Sequence, residues 1–172
     1  MKPLQAPLVV GLAAVALSGS ATAVEKDCFS IAAARYQVGE GLLLAIAKIE
    51  SNFEPRAVAY ASDGTHSVGV MQINSSHFDR LRDQGISEDT LLNRPCTNVA
   101  VGASILAEFI QRFGVTWRAV GAYGAGTSPK KEGARRDYAA RVAGALERWR
   151  AGRAIQLAGR PDTSPVRLLV LD

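Results

Sequence analysis

One apolar stripe between residues 96 and 113 constrains the fold of this chain more than any other feature. Within it, apolar residues recur at alternating steps of four and three: Val99, Ala103, Leu106, Ile110 and Phe113. An α-helix makes one turn in 3.6 residues, so this spacing places all five side chains on one helix face. The stripe predicts a long helix, from about Cys96 to Phe113, whose apolar face lies in the core of the domain.

Other segments predict further helices and leave room for only a small sheet. Helical spacing or composition occurs at residues 28–38, 42–50, 75–84, 87–92 and 117–123, and a last helix has the apolar stripe Tyr138, Val142, Ala145 and Trp149. Ser75 or Ser76 is the expected N-cap of the 75–84 helix. Between residues 56 and 73, Asp63 and Gly64 form a turn signal that joins two short strands or shapes a loop. A length of 172 residues favours one domain. We therefore predict a mostly α, α+β fold: a single helical domain with a small β or loop segment.

The N-terminal residues are typical of an export signal. Lys2 precedes an apolar run at residues 8–17, and Ala21-Thr22-Ala23 is a small-residue cleavage pattern. The sequence predicts a signal peptide at residues 1–23 and a mature chain that begins at Val24. A membrane anchor is the alternative, although the run is shorter than the roughly 20 residues of a spanning helix. No later segment is long and apolar enough to span, so we expect no membrane span after signal removal.

Two cysteines, Cys28 and Cys96, remain in the exported chain. In an oxidising compartment this even number predicts a disulfide, which would stabilise the fold by about 4 kcal/mol in the loop-entropy model. Two buried free thiols are the alternative. The pair lacks the spacing of a CxxC metal site, and His66 and His77 match no ligand spacing either. We therefore expect no metal.

Charge is modest overall but concentrated near the C-terminus. The net charge of +4 is too small to indicate a nucleic-acid partner. Half of the 20 basic residues follow residue 129, including Lys130, Lys131, Arg135 and Arg136. This cluster either attracts acidic peptides or forms a solvated face. Glycines and prolines interrupt every pattern beyond residue 150, so we place the domain at residues 24–150 and a flexible tail at 151–172.

Glu50 occupies a position where a charged side chain is costly. Ile46 and Leu43 precede it by four and seven residues and Ala47 by three, so the carboxyl shares an apolar helix face. Burial and the negative end of the helix dipole both raise a carboxyl pKa. A protonated carboxylic acid at neutral pH is the state that protonates a glycosidic oxygen. Alternatively, Glu50 simply reaches solvent at the end of the helix.

Three short segments together resemble a known enzyme family. Ile49 to Phe53, Gly69 to Asn74 and Ala122 to Gly126 look like the ordered signatures of the soluble lytic transglycosylases. The match covers roughly residues 28–149, and the cysteine pair is similar to small exported members associated with secretion, pilus or conjugation machinery. The resemblance implies a lysozyme-like fold with a glycan groove. It also implies a periplasmic enzyme that cleaves the MurNAc-β-1,4-GlcNAc bond of peptidoglycan and leaves 1,6-anhydroMurNAc ends.

The resemblance also assigns roles to individual residues. Glu50 is the catalytic acid and then the base, and Ser51 orients it or the substrate. Met71 and Gln72 line the sugar groove, and the hydroxyl of Tyr123 donates a hydrogen bond near the glutamate. Each of these has a structural alternative: a helix C-cap for Ser51, core packing for Met71 and a buried structural tyrosine at Tyr123. The implied enzyme acts as a monomer without a cofactor, and its partners are glycan strands and subunits of the envelope machine.

Two observations keep other functions open. The family commonly has asparagine after the tyrosine, whereas this chain has Gly124, so any hydrogen bond from that amide is lost or supplied by water. A hydrolytic lysozyme needs a second carboxylate, about 5–5.5 Å or 6.5–9.5 Å from the first. Asp63 is the candidate, although aspartate is common in such turns for local reasons. A peptidoglycan-binding component without catalysis is the third reading.

Overall fold

Seven α-helices and one antiparallel sheet make up residues 21–158, the part of the chain that this computed structural model describes. The helices are α1 (Ala21–Tyr36), α2 (Glu40–Glu50), α3 (Phe78–Arg82), α4 (Glu88–Asn93), α5 (Pro95–Phe113), α6 (Trp117–Ala125) and α7 (Glu132–Ala158). The strands are β1 (Val58–Tyr60), β2 (His66–Val68) and β3 (Ile73–Asn74), and single 3₁₀ turns span Ser75–His77 and Pro129–Lys131. The predicted mostly α fold with a small β segment is confirmed.

Helix α5 is the central core element that its apolar stripe predicts. Val99, Ala103 and Leu106 are buried, while Ile110 and Phe113 at its C-terminal end are partly buried. Pro95 begins the helix at a position where its missing N–H costs no hydrogen bond. Helices α1 and α6 pack against α5. Full burial of a valine or leucine side chain, as at Val99 and Leu106, stabilises a fold by about 1.5–3 kcal/mol.

The predicted disulfide is present between α1 and α5. Cys28 and Cys96 are joined with their Cα atoms 5.0 Å apart, across 68 positions of sequence. The bond therefore links the N-terminal helix to the start of the central helix.

The sheet is a hairpin with one added strand. β1 pairs with β2 in the register Val58 to Val68, and β2 pairs with β3 through Val68 and Ile73. The Asp63-Gly64 turn joins the first two strands, as one of the sequence readings expected. Residues 69–72, between β2 and β3, form a tight turn that faces the end of α2 through a hydrogen bond from Ser51.

Two helix ends differ from the sequence prediction. The predicted 75–84 helix begins as the 3₁₀ turn Ser75–His77, whose cap is Asn74 rather than Ser75 or Ser76, since the Asn74 side chain accepts a hydrogen bond from the Ser76 amide at 3.0 Å. Helix α7 continues to Ala158, so residues 151–158 are helical although the tail was expected to begin there. Residues 159–172, and residues 1–20 of the predicted signal, lie outside the described residues. Among residues 21–158, no helix has the length and apolar character needed to cross a membrane.

Helix α7 packs against both α2 and α6 and thereby positions the candidate site. As predicted, Tyr138, Val142 and Ala145 are buried, and Trp149 is partly buried. The Trp149 ring lies so close to Gly41 that a Cβ there would overlap it. Gly41 is near the start of α2, whereas Tyr138 contacts Glu50 at its end. Helix α7 therefore contacts both ends of α2.

Candidate active site

Glu50 is the last residue of α2, on the face that packs into the core. Leu43, Ile46 and Ala47 are all 0% exposed, as the helical spacing predicted. Glu50 itself is only partly exposed. Burial raises the pKa of the Glu50 carboxyl above its ordinary value. The site therefore holds a carboxylic acid that keeps its proton to higher pH than an exposed glutamate does.

The chain turns sharply immediately after Glu50. Asn52 and Phe53 both have left-handed backbone conformations, with φ of 54° and 67°. Such conformations are uncommon in residues other than glycine, and strained residues cluster at functional sites. The Phe53 ring packs edge-on against Phe29, with centroids 6.2 Å apart, which holds the turn in place.

The turn between β2 and β3 lies against this end of α2. The Ser51 hydroxyl donates a hydrogen bond to the Val70 carbonyl at 2.8 Å, and the Tyr123 hydroxyl donates one to the Met71 carbonyl at 2.7 Å. Both side chains thus hold the turn. The single hydroxyl proton of each residue is already used within the protein.

Asn98 also supports the turn at residues 69–72, and the sequence did not identify it as a site residue. Its side chain is 0% exposed. The carbonyl oxygen accepts from the Met71 amide at 2.8 Å, and the amide group donates to the Val68 and Leu91 carbonyls at 2.9 and 3.2 Å. Gly69 has φ of 77° and no room for a Cβ beside the Asn98 amide. The only sequence signal was a polar residue next to Val99, at the start of the apolar stripe.

The structure limits the roles that the resemblance implied for the side chains of Met71 and Gln72. The Met71 side chain is 0% exposed and packs onto Gly102, so core packing is the correct alternative and its thioether does not line an open groove. The Gln72 amide nitrogen donates to the Ala57 and Gly69 carbonyls at 3.2 and 2.9 Å. Both amide protons are therefore committed to the turn, which leaves only the carbonyl oxygen of Gln72 to meet a sugar.

Tyr138 contacts Glu50 directly, although the sequence marked it only as a core residue. Its hydroxyl donates a hydrogen bond to Glu50 Oε1 at 2.5 Å. Burial and the nearby Glu50 charge raise the pKa of the Tyr138 hydroxyl, so it remains a donor. A buried tyrosine hydroxyl needs a polar partner, which was the signal available in the sequence.

Opposing effects act on the Glu50 carboxyl. Burial raises its pKa most strongly, while the Tyr138 hydrogen bond and the positive charge of Arg141 lower it. Burial and the Glu50 charge raise the pKa of Tyr123, which places this tyrosine within electrostatic range of the glutamate. The environment favours the protonated acid but also provides a donor for the carboxylate that remains after proton transfer.

Asp63 does not join this site. It lies fully exposed in the hairpin turn, where its carboxylate accepts hydrogen bonds from the hydroxyl and the amide of Thr65 at 2.7 and 3.0 Å. These bonds lower the pKa of Asp63. Asp63 is not among the groups that act on the Glu50 pKa. The local structural role of an aspartate in such a turn accounts for this residue.

Comparison with known proteins assigns the chain to a family. Residues 27–143 match the model of the family described as the transglycosylase SLT domain. The chain belongs to the transglycosylase SLT family. The invasion protein IagB of Salmonella typhimurium is 47% identical over 116 residues, which are 67% of this chain and 72% of IagB. The protein IpgF of Shigella flexneri is 47% identical over 113 residues, which are 66% of this chain and 74% of IpgF.

Solved structures share the fold of this SLT-family chain. An inactive mutant of the lytic transglycosylase Slt from Pseudomonas aeruginosa matches with a TM-score of 0.59 at 20% identity, over 76% of this chain and 24% of that one. The 70 kDa soluble lytic transglycosylase of Escherichia coli matches with a TM-score of 0.50 at 26% identity, over 69% of this chain and 19% of that one. The predicted lysozyme-like fold is confirmed. The chain spans about a quarter or less of these larger enzymes.

The basic cluster of this SLT-family chain is not a uniform recognition face. Arg135 is 3% exposed and donates to the Gly126 and Ser128 carbonyls, both at 2.9 Å, and it also pairs with Glu132. Arg135 thus holds the loop between α6 and α7. Lys130, Lys131 and Arg136 are exposed.

Within residues 21–158, no group of three His, Cys, Asp or Glu side chains is placed to hold a metal ion.

Proposed function

We propose that this SLT-family chain is an exported peptidoglycan lytic transglycosylase with Glu50 as its catalytic acid and base. It cleaves the β-1,4 bond between N-acetylmuramic acid and N-acetylglucosamine and leaves a 1,6-anhydromuramoyl end. One observation carries the proposal. Glu50 is a buried carboxyl of raised pKa at the end of α2, and no second carboxylate of the described residues acts on it.

The reaction needs one carboxyl in two protonation states. Glu50 first donates its proton to the leaving glycosidic oxygen as the bond to C1 breaks. The acetamido group of the sugar supports the positive charge at C1. The C6 hydroxyl of the same sugar then attacks C1, and the Glu50 carboxylate takes the hydroxyl proton. No water is consumed, and Glu50 ends protonated as it began.

The contacts around Glu50 suit both steps. Burial raises the carboxyl pKa and keeps the acid protonated before the first step. Once the proton has left, the Tyr138 hydroxyl donates to the carboxylate, and the positive charge of Arg141 favours the same state. The tight turn at residues 69–72 holds Ser51 and Tyr123 beside the acid. General acid–base catalysis of this kind contributes about 10²- to 10⁴-fold to rate.

The biological role that we propose is the local opening of the cell wall for a secretion, pilus or conjugation apparatus. The similarity to an invasion protein and the predicted export signal support this role. Export predicts a periplasmic enzyme whose mature N-terminus is Val24. N-terminal sequencing of the protein recovered from the periplasm is expected to read from that residue. An uncleaved chain in the membrane fraction would contradict the predicted processing.

Product analysis tests the chemistry. The mature protein is incubated with purified peptidoglycan, and the soluble fragments are identified by mass spectrometry. Anhydro ends support the transglycosylase, and reducing ends would instead show a hydrolytic muramidase. Binding to the sacculus without release of fragments would show a peptidoglycan-binding component.

Two matched variants locate the acid. Glu50→Gln is expected to release no fragments above background. Asp63→Asn, which removes a carboxylate in the exposed hairpin turn, is expected to keep the activity of the unaltered protein. If Asp63→Asn were inactive while remaining folded, a mechanism with two carboxylates would replace the one proposed.

A further inference from the structure

Helices α6 and α7 approach each other through two glycines of α6. A Cβ at Gly121 would lie 2.5 Å from the Arg135 carbonyl oxygen and 2.9 Å from the Arg135 Cβ. One turn later, a Cβ at Gly124 would overlap three ring carbons of Tyr138. Contacts this short do not occur between real atoms, so each glycine allows one close approach: Gly121 to the α7 backbone and Gly124 to an aromatic ring.

The ring that Gly124 accommodates is the one that reaches the candidate catalytic acid. Tyr138 is 5% exposed, and its hydroxyl donates to Glu50 Oε1. The ring is rigid, so its position against Gly124 determines where the hydroxyl lies. A hydrogen bond is lost once donor and acceptor separate by more than a few tenths of an ångström beyond about 3.2 Å. To reach an ordinary van der Waals contact with a Cβ at Gly124, the ring would have to move by about 1 Å, and a shift of that size is enough to separate the hydroxyl from Glu50.

We propose that Gly124 is a positioning residue, which leaves the space that the Tyr138 ring needs to hold its hydroxyl against Glu50. A Cβ at this position would meet the ring in this chain. The space beside Gly124 is occupied by the Tyr138 ring from α7. The inference deepens the proposed function and, as a statement about catalysis, rests on it.

The charged and titratable groups around Glu50 make the effect measurable. Tyr138 and Arg141 act on the carboxyl from α7, and both lower its pKa against the larger effect of burial. From α6, Tyr123 lies within electrostatic range. The Arg141 guanidinium is 5.6 Å from the centre of the Tyr138 ring. Burial raises the pKa of Glu50, and the Tyr138 hydrogen bond counteracts part of that increase. Loss of the hydrogen bond is therefore expected to raise the pKa of Glu50 further.

The experiment follows the Glu50 carboxyl itself and does not depend on activity. The protein is labelled with ¹³C at glutamate carboxyl carbons, the Glu50 signal is identified by its loss in Glu50→Gln, and its pKa is measured by NMR titration. Tyr138→Phe, which keeps the ring, is expected to raise this pKa. Gly124→Ala is expected to raise it by the same amount, and the double variant by no more than either single change.

The control is another glycine in a helix. A Cβ at Gly133, in α7, meets no atom within 4 Å. Gly133→Ala is therefore expected to leave the Glu50 pKa unchanged. If the proposed function holds, the alkaline limb of the pH–activity profile moves upward in Gly124→Ala and not in Gly133→Ala.

Several results would overturn the proposal. A folded Gly124→Ala with an unchanged Glu50 pKa would do so, as would an unchanged pKa in Tyr138→Phe. If Gly124→Ala does not fold, combining it with Tyr138→Leu removes the ring and is expected to restore folding. Failure of that pair to fold would show that the ring is not the obstacle. Absence of transglycosylase activity would sink the proposed function while leaving the pKa result to stand or fall separately.

Discussion

The Tyr138 hydroxyl donates a hydrogen bond to Glu50 across 88 positions of sequence. Glu50 ends α2, and Tyr138 lies in the first third of α7, so packing between these helices brings the two together. The bond opposes the effect of burial on the carboxyl pKa. A carboxyl with a raised pKa and a donor for its ionised form suits a residue that first gives up a proton and later takes one back.

Replacement of Glu50 by glutamine is expected to abolish activity and to raise thermal stability at neutral pH. In the unfolded chain the carboxyl ionises near its ordinary pKa of 4.5, whereas burial raises the pKa in the folded protein. As pH rises, the unfolded state loses its proton first. The stability of the unaltered protein therefore falls as pH rises from the unfolded-state pKa of Glu50 to its folded-state pKa. Glu50→Gln has no ionisable group at this position and does not show this fall.

Melting temperatures of the two proteins, measured below and well above pH 4.5, check this expectation. The advantage of Glu50→Gln should be smallest at the acidic end and grow as pH rises. An advantage that shrank with rising pH would show that the folded-state pKa of Glu50 is lowered rather than raised.

Replacement of Tyr123 by phenylalanine is expected to cost about 1–3 kcal/mol of unfolding free energy, because the Met71 carbonyl loses its hydroxyl donor. Urea denaturation measures this change. Tyr60→Phe is the matched control, since Tyr60 is 83% exposed and should change stability by less than about 0.5 kcal/mol. Equal effects of the two substitutions would contradict a supporting role for the Tyr123 hydroxyl.

Replacement of Asn98 by leucine is expected to destabilise the fold by about 3 kcal/mol or more, because three buried backbone groups lose their partner. Asn98→Asp keeps the acceptor for the Met71 amide but loses both donors. Hydrogen exchange of the Met71 amide separates the two variants: protection should fall further in Asn98→Leu than in Asn98→Asp. The reverse order would mean that Asn98 does not hold the turn through its carbonyl oxygen.

Removal of the disulfide by paired substitution, Cys28→Ser with Cys96→Ser, is expected to cost about 4 kcal/mol of stability. Denaturation with and without a reductant measures the effect. Reductant should lower the stability of the unaltered protein towards that of the serine pair and should leave the pair unchanged. A reductant effect on the serine pair would show that the loss has another cause.

Local pattern was enough for much of the fold. Helix positions follow from apolar spacing such as that of Val99, Ala103 and Leu106. The turn at Asp63-Gly64 was also predictable, although a hairpin was only one of its two interpretations. The disulfide was predictable because only two cysteines are available. The apolar face around Glu50 was predictable because its neighbours at three, four and seven residues' distance are apolar. Its catalytic role rests on the resemblance to the family and stays a prediction. Apart from the disulfide, these features depend on residues close in sequence. The disulfide depends on a pairing that two cysteines can make in only one way.

The rest of the site was decided by how the helices pack. The apolar stripe that contains Tyr138 did not show that its hydroxyl reaches Glu50. The stripe that contains Val99 did not show that the neighbouring Asn98 holds the turn at Met71. Core packing was one of two alternatives for Met71, and only packing decided for it. Packing likewise commits the Gln72 amide group to a turn and Arg135 to a loop. Periodicity specifies which face of an element is buried. Only tertiary structure specifies which atoms it meets, because that depends on helix crossings, which here are set by close approaches at Gly121 and Gly124.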